Sequence, residues 1–355
     1  MTISLARILA KRPKGDPSGK EWIGLSSLPA TTLVLAREDC TTTVSEAPLP
    51  EPFDDGICLH LQRTLVARCD RFWEPGMASV WHVSACQEDS EYVPGIAVYL
   101  DPHPPCRLCQ PCVSGDHSRC VEVPVRRWAP GWLPLEAVVP PWTVRRGIVD
   151  LPPAASPRAC LFLDPLARIR HALAPSLKRK PRRIAVWGSD LAGVLTGLVL
   201  ERMLPDAVRS WFGPRGIGLE SHELWGYHHA AEALTESDMF DLVVATDGAA
   251  ACVEGALRSL APRGSVLFLA PPDSASSPLD LGALWRTGAS VHAGSGCSPD
   301  DRATVADWLP DMGERLERIP LVELPFADAA QADAVLRERP EILGVALVAG
   351  LNPEA

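Results

Sequence analysis

No run in this 355-residue chain reaches the ~18 consecutive apolar residues that a membrane-spanning helix requires, so a helical membrane protein is not expected. The opening stretch, MTISLARILAKRPKGDP, has too short an apolar core for a secretory leader and lacks a small-residue cleavage site. A cytoplasmic location is the resulting expectation. Basic charge is scarce as well. The formal net charge is −10, and the one basic run, Lys178 to Arg183, is short and leads straight into an apolar segment. Phosphate backbones demand a basic face, so no nucleic-acid partner is expected. Internal repeats and long low-complexity tracts are missing too, which excludes an array of stacked units.

Cysteine, by contrast, is plentiful. Eleven are present, an odd number, and four of them crowd together as Cys106, Cys109, Cys112 and Cys120. In a chain without an export signal this clustering favours a metal over disulfides. The spacing C-x2-C-x2-C-x7-C lets a tight loop supply three thiolates and its return supply the fourth, with Gly115 where the loop must turn back. An iron–sulfur cluster of the ferredoxin kind would place the last cysteine three residues on, before a proline; here the gap is seven and Val121 follows. One tetrahedral zinc ion is therefore expected. The remaining cysteines sit singly in apolar contexts, and most read as small buried hydrophobes.

The texture of the chain changes twice. Residues 1–30 read as an extension of mixed charge. From Thr31, short runs such as TTLVLA, TTTVSEAP and GICLHLQRTLVA alternate like half-buried antiparallel strands. Proline-rich AVVPPWTV and GIVDLP read as further strands at barrel edges. Beyond Pro157, RRIAVWGSD reads as a buried strand and LAGVLTGLVLERML as an apolar helix. AVRSWFG, FDLVVATDG and GSVLFLAP continue the strand–helix rhythm of a parallel sheet wound with helices. A helix and a strand, ILGVALVAG, close the chain.

The cysteine lobe, set in a strand-rich first half and ahead of a wound α/β region, resembles the zinc-containing medium-chain dehydrogenase/reductase family. EAPLPEP is similar to that family's early strand exit, and FDLVVATDG with SLAPRGSVLFLA to the latter half of its nucleotide domain. The resemblance implies an α/β protein of two parts. A GroES-like β-barrel catalytic domain would span residues 31–165, carry the zinc lobe at 100–120 and be completed by 306–355. A Rossmann doubly wound parallel-sheet domain would span 166–305.

Members of the family hold a second, catalytic zinc through a cysteine, the histidine of a Gly-His-Glu motif and a further cysteine or acid, and that ion polarises an alcohol before hydride leaves. His82, in VWHVSA, matches the histidine, although Trp81 and Val83 replace its glycine and glutamate. Asp164, in FLDPLA, stands where polyol and threonine dehydrogenases carry a glutamate. For the cysteine, Ala67-Arg68-Cys69-Asp70 aligns in two ways: Cys69 is the ligand across a gap, or Ala67 falls at that position.

IAVWGSDLAGVLTG follows a strand and opens a helix, the setting of a dinucleotide turn. Gly188 and Gly193 hold its first and third glycine positions. The second is Asp190, a carboxylate where the pyrophosphate backbone approach is needed. No acid ends the second strand to take a ribose hydroxyl, and Arg209 or Arg215 is the candidate for a 2′-phosphate. The resemblance places Thr246 and Gly248 beside the nicotinamide.

Two readings follow. In one, the protein is an alcohol dehydrogenase-like oxidoreductase moving hydride between a secondary alcohol or ketone and NAD or NADP, with His82, Asp164 and Cys69 on a catalytic zinc. In the other, it is a redox-inactive relative that has lost dinucleotide binding, a non-redox enzyme or a binding partner in a biosynthetic pathway. Either way a small-molecule substrate and a homodimer or tetramer are expected. Eleven tryptophans, among them Trp81, Trp128, Trp132 and Trp142, read as core or interface packing or as the lining of an aromatic pocket.

Overall fold

Pro140 and Pro141 show how local chemistry sets the elements. The run AVVPPWTV splits there: Glu136–Val139 is a strand, and Pro141, at a first helical position where its missing N–H is no loss, starts the helix Pro141–Gly147. The expected single edge strand is thus a strand followed by a helix.

The computed structural model describes residues 22–24, 28–38, 41–67, 78–121, 133–188, 190–213, 221–235, 239–270, 281–294 and 296–350. In chain order the first half runs β1 (Trp22–Gly24), β2 (Thr31–Glu38), β3 (Thr41–Pro48), β4 (Ile57–Ala67), β5 (Ser79–Gln87) and β6 (Ala97–Leu100). Then come α1 (Gln110–Val113), β7 (Leu133–Pro134), β8 (Glu136–Val139), α2 (Pro141–Gly147), β9 (Ile148–Asp150) and α3 (Pro157–Cys160). The second half has α4 (Leu163–Leu177), β10 (Arg183–Trp187), α5 (Leu191–Met203), β11 (Val208–Phe212), β12 (His229–Ala231) and β13 (Phe240–Ala245). It continues with α6 (Ala250–Arg258), β14 (Leu260–Phe268), α7 (Leu281–Thr287) and β15 (Ser290–Ala293). The chain closes with α8 (Pro299–Glu317), β16 (Leu321–Pro325), α9 (Ala332–Glu338) and β17 (Gly344–Val348).

Two principal sheets result. The first is ordered β16-β17-β4-β5-β6-β9, with β1 on β5 and β8 on β4. Most of its pairs are antiparallel, and β17 returns from the far end of the chain to pair with β4. Trp22–Gly24, within the stretch read as an extension, adds the strand on β5. Alternation along β4 and β5 puts Leu59, Leu61, Trp81 and Val83 in the apolar core of this sheet and leaves His60 and His82 on its other face. β2 and β3 pair beside it, with β7 on β2.

The second sheet, ordered β12-β11-β10-β13-β14-β15, is parallel throughout, as its continuous apolar runs require. α4, α5 and α8 cover it, with Leu166, Leu195 and Leu309 in one core that extends to Val80 and Tyr99 of the first sheet. The tryptophan surplus is used for packing: Trp81, Trp187, Trp211 and Trp225 are buried, and Trp187 stacks on Phe212 with ring centroids 4.9 Å apart. Trp128 and Trp132 lie outside the described residues. Among the described residues no helix is long and apolar enough to cross a membrane.

Candidate functional site

The cysteine lobe leaves the end of β6, where the Asp101 N–H is held by the carbonyl of Gly147. The ligand atoms of Cys106, Cys109, Cys112 and Cys120 all lie within 4.8 Å of one another. Two of the separations, Cys106 to Cys112 at 3.8 Å and Cys109 to Cys120 at 4.0 Å, are close to the ~3.8 Å edge of a tetrahedron built on Zn–S bonds of ~2.3 Å. The backbone completes the cradle. Leu108 and Cys109 donate N–H groups to Cys106 Sγ, and Cys106 N–H donates to Cys120 Sγ. The Leu108 N–H, with that of Cys109, pulls the Cys106 thiol down to about 6, whereas burial pushes Cys112 up to about 12. Gly115 makes the return turn with φ +86°, a conformation that favours glycine. This donor set fits one tetrahedral ion; clustered irons would hold their thiolates farther apart.

Asp164 lies in the first turn of α4 and is 1% exposed. Its Oδ2 accepts from Arg168 Nε at 2.6 Å, one turn along the same helix. Its Oδ1 accepts from Arg302 Nε at 2.7 Å, and Arg302 Nη1 reaches Asp101 Oδ2 at 2.6 Å. Burial would raise the Asp164 pKa, but the Arg168 and Arg302 guanidinium groups reverse that and hold it well below the usual carboxylate range. The Cys297 thiol points at Asp164 Oδ1 from 3.5 Å, its pKa pushed well up by burial and by that carboxylate. Tyr99 lies under the Arg302 guanidinium, 5.5 Å from ring centroid to Cζ, with its own hydroxyl unpartnered.

Two cations and two anions thus balance one another in a dry setting. A divalent ion on Asp164 would have to displace a guanidinium and then sit beside two positive charges. These residues do not fit a catalytic zinc.

His82 is half-buried on β5, and its pKa is lowered by burial and by neighbouring His60. Among the described residues, the cysteine lobe is the one group of three or more side chains arranged for a metal. Cys69 lies outside the described residues.

At the end of β10, Gly188 has φ +126°, and a Cβ there would lie 2.2 Å from Thr246 Oγ1. A Cβ on Gly193 would lie 2.8 Å from the Gly188 carbonyl. Both glycines therefore keep the tight turn and close helix–strand contact of a dinucleotide loop. The middle position differs. Asp190 caps α5, its Oδ1 accepting from Gly193 N at 2.9 Å and from Thr246 Oγ1 at 2.7 Å. A carboxylate of the protein's own thus occupies the N-terminal N–H where a phosphate would bind. Burial, with Asp247 close by, raises its pKa to about 6.

Trp211 donates its indole N–H to the Gly188 carbonyl and stacks on Tyr227, whose hydroxyl donates to the Gly193 carbonyl. Gly248 is buried in the loop between β13 and α6. Arg209 is spent on carbonyls, donating to Gly226, Leu204, Pro205 and Ala207, so it has no reach toward a ribose 2′-phosphate. Arg215 lies outside the described residues.

The sequence reading missed Arg302, Arg168 and Asp101. The one local signal was the Asp164–Arg168 spacing on a helix. Arg302 comes from α8, and nothing short-range marks it.

No family model matches the chain, and no curated protein matches it. Solved structures do. L-idonate 5-dehydrogenase from Escherichia coli is 17% identical, with a TM-score of 0.75 over 90% of this chain and 98% of that one. Alcohol dehydrogenase TADH from Thermus sp. ATN1 is 22% identical, with a TM-score of 0.71 over 89% and 99%. S. aureus TarJ in complex with NADPH is 14% identical, with a TM-score of 0.69 over 90% and 100%. At such identities the likeness establishes the fold. The chain has the two-part α/β architecture of these dehydrogenases, as the cysteine lobe implied.

Proposed function

We propose that this chain is a medium-chain dehydrogenase/reductase relative that keeps the structural zinc and handles a small molecule without a bound dinucleotide. One observation carries the reading: the Asp190 carboxylate sits on the Gly193 N–H. A pyrophosphate entering that turn would meet both bulk and like charge. The closed Asp164–Arg302 pair supports the same conclusion from the other half of the site, since a metal-assisted hydride transfer has no open carboxylate there.

Cys106, Cys109, Cys112 and Cys120 would hold the structural ion, which braces the lobe and takes no part in turnover because its coordination is closed. The substrate is a small molecule, and the role is a non-redox step or ligand binding in a biosynthetic sequence. A homodimer or tetramer is proposed as well, consistent with the 84% exposed Trp285 and 42% exposed Val291 near the free edge of β15.

A second reading, an NAD(P)-dependent oxidoreductase, is favoured by Gly188 and Gly193, which retain the geometry of a working loop. Titration with NADH and NADPH separates the two. Absence of binding at millimolar cofactor supports the first, and saturable binding in the micromolar range supports the second.

A further inference from the structure

The face of the first sheet opposite its apolar core carries a row of polar residues, two of which, His60 and Glu136, neither reading uses. β8, β4 and β5 lie side by side, and their register sets Glu136 opposite His60 and His60 opposite His82. Directly opposed residues on neighbouring antiparallel strands share a face, with Cβ atoms ~4.5–5.5 Å apart. Glu136 Oε1 lies 3.3 Å from His60 Nδ1. Glu136 is itself fixed by Thr32, whose hydroxyl donates to Oε2 at 2.6 Å and accepts from the Glu136 N–H at 2.9 Å. His60 remains 41% exposed.

A carboxylate on Nδ1 selects the tautomer with Nδ1–H and leaves the Nε2 lone pair outward, the arrangement that orients metal-binding histidines. His82, half-buried on β5, supplies the second imidazole of the row.

We propose that His60 and His82 form a surface site for a divalent first-row transition cation, with Glu136 orienting His60 and water completing the coordination. Two imidazoles suit nickel, copper or zinc rather than magnesium or calcium. The site shares His82 with the family's catalytic position but takes its second ligand from a different strand, so it stands whether or not the dinucleotide-free reading holds.

The test is calorimetric titration of the untagged, zinc-replete full-length chain with Ni²⁺. One equivalent should bind. His60→Gln and His82→Gln should each weaken it tenfold or more, and Glu136→Gln should weaken it about tenfold, the low end of the 10–100-fold effects known for such supporting carboxylates. Asp164→Asn should leave it unchanged, whereas an ion shared by His82 and Asp164 would be lost. Replacing His228 and His229, whose ring centroids are 6.4 Å apart at the start of β12, should also have no effect. Failure of the wild type to bind Ni²⁺ overturns the proposal. So does affinity that survives both His60→Gln and His82→Gln, or that is lost with His228 and His229. Thermal melting of the His60, His82 and Glu136 variants, within a few degrees of wild type, confirms that a loss reflects ligands and not folding.

Discussion

Arg302 donates from Nε to Asp164 Oδ1 at 2.7 Å, and this buried ion pair ties the first turn of α8 to the first turn of α4. Its other arm holds Asp101, which also accepts the His103 N–H at the entrance to the cysteine lobe. Three segments from distant parts of the chain meet on one guanidinium.

Removing that guanidinium should be costly. Arg302→Ala leaves two buried carboxylates facing each other, and breaking a buried pair from one side costs about 3–5 kcal/mol. Urea unfolding should show that loss, and Arg302→Lys should recover part of it by restoring charge without the two-armed geometry.

Acid should release the same stabilisation. The folded Asp164 pKa is depressed, so its contribution is complete above the unfolded value of ~3.9 and disappears as pH falls through the lower folded value. Asp164→Asn should be less stable than wild type at pH 7 and show a shallower loss of stability below pH ~4. Parallel curves for the two proteins would contradict this.

Asp190 has the opposite sign. Its folded pKa of about 6 lies above the unfolded value, so its protonated form favours folding. That contribution is complete below pH ~4 and is lost as pH rises to ~6. Asp190→Asn should therefore flatten the stability profile between pH ~4 and ~6. A slope in that window unchanged by the substitution would refute the assignment.

The cysteine lobe should also control access to Cys297. Gly296 has φ +67°, and a Cβ on it would lie 2.2 Å from Ser118 Cβ in the lobe. The next residue is Cys297, buried against Asp164. Chelating the zinc proposed for the lobe should expose Cys297 to iodoacetamide while Cys252, buried beneath β10, stays protected. Gly296→Ala should do the same with zinc in place. Mass spectrometry showing equal protection of both thiols after chelation would rule the coupling out.

The sequence made some of this legible and not the rest, for physical reasons. Ligand spacing within one loop is local, so Cys106 to Cys120 could be read directly. Strand and helix periodicity revealed the wound sheet. Asp190 could be recognised as out of place in a glycine turn, but its role as the cap of α5 depends on Thr246, brought in by β13. Pro141 suits a sheet edge as well as a helix start, so its sequence context alone favours a strand, whereas in the fold it opens α2. Arg302 and His60 owe their partners to sheet register and helix packing, which no short window records.

The most direct test is titration of the wild-type chain with NADPH and NADH beside Asp190→Gly. Wild type should show no binding at millimolar cofactor, and binding should become measurable once the carboxylate is gone. Micromolar binding by wild type, unchanged in Asp190→Gly, would contradict it.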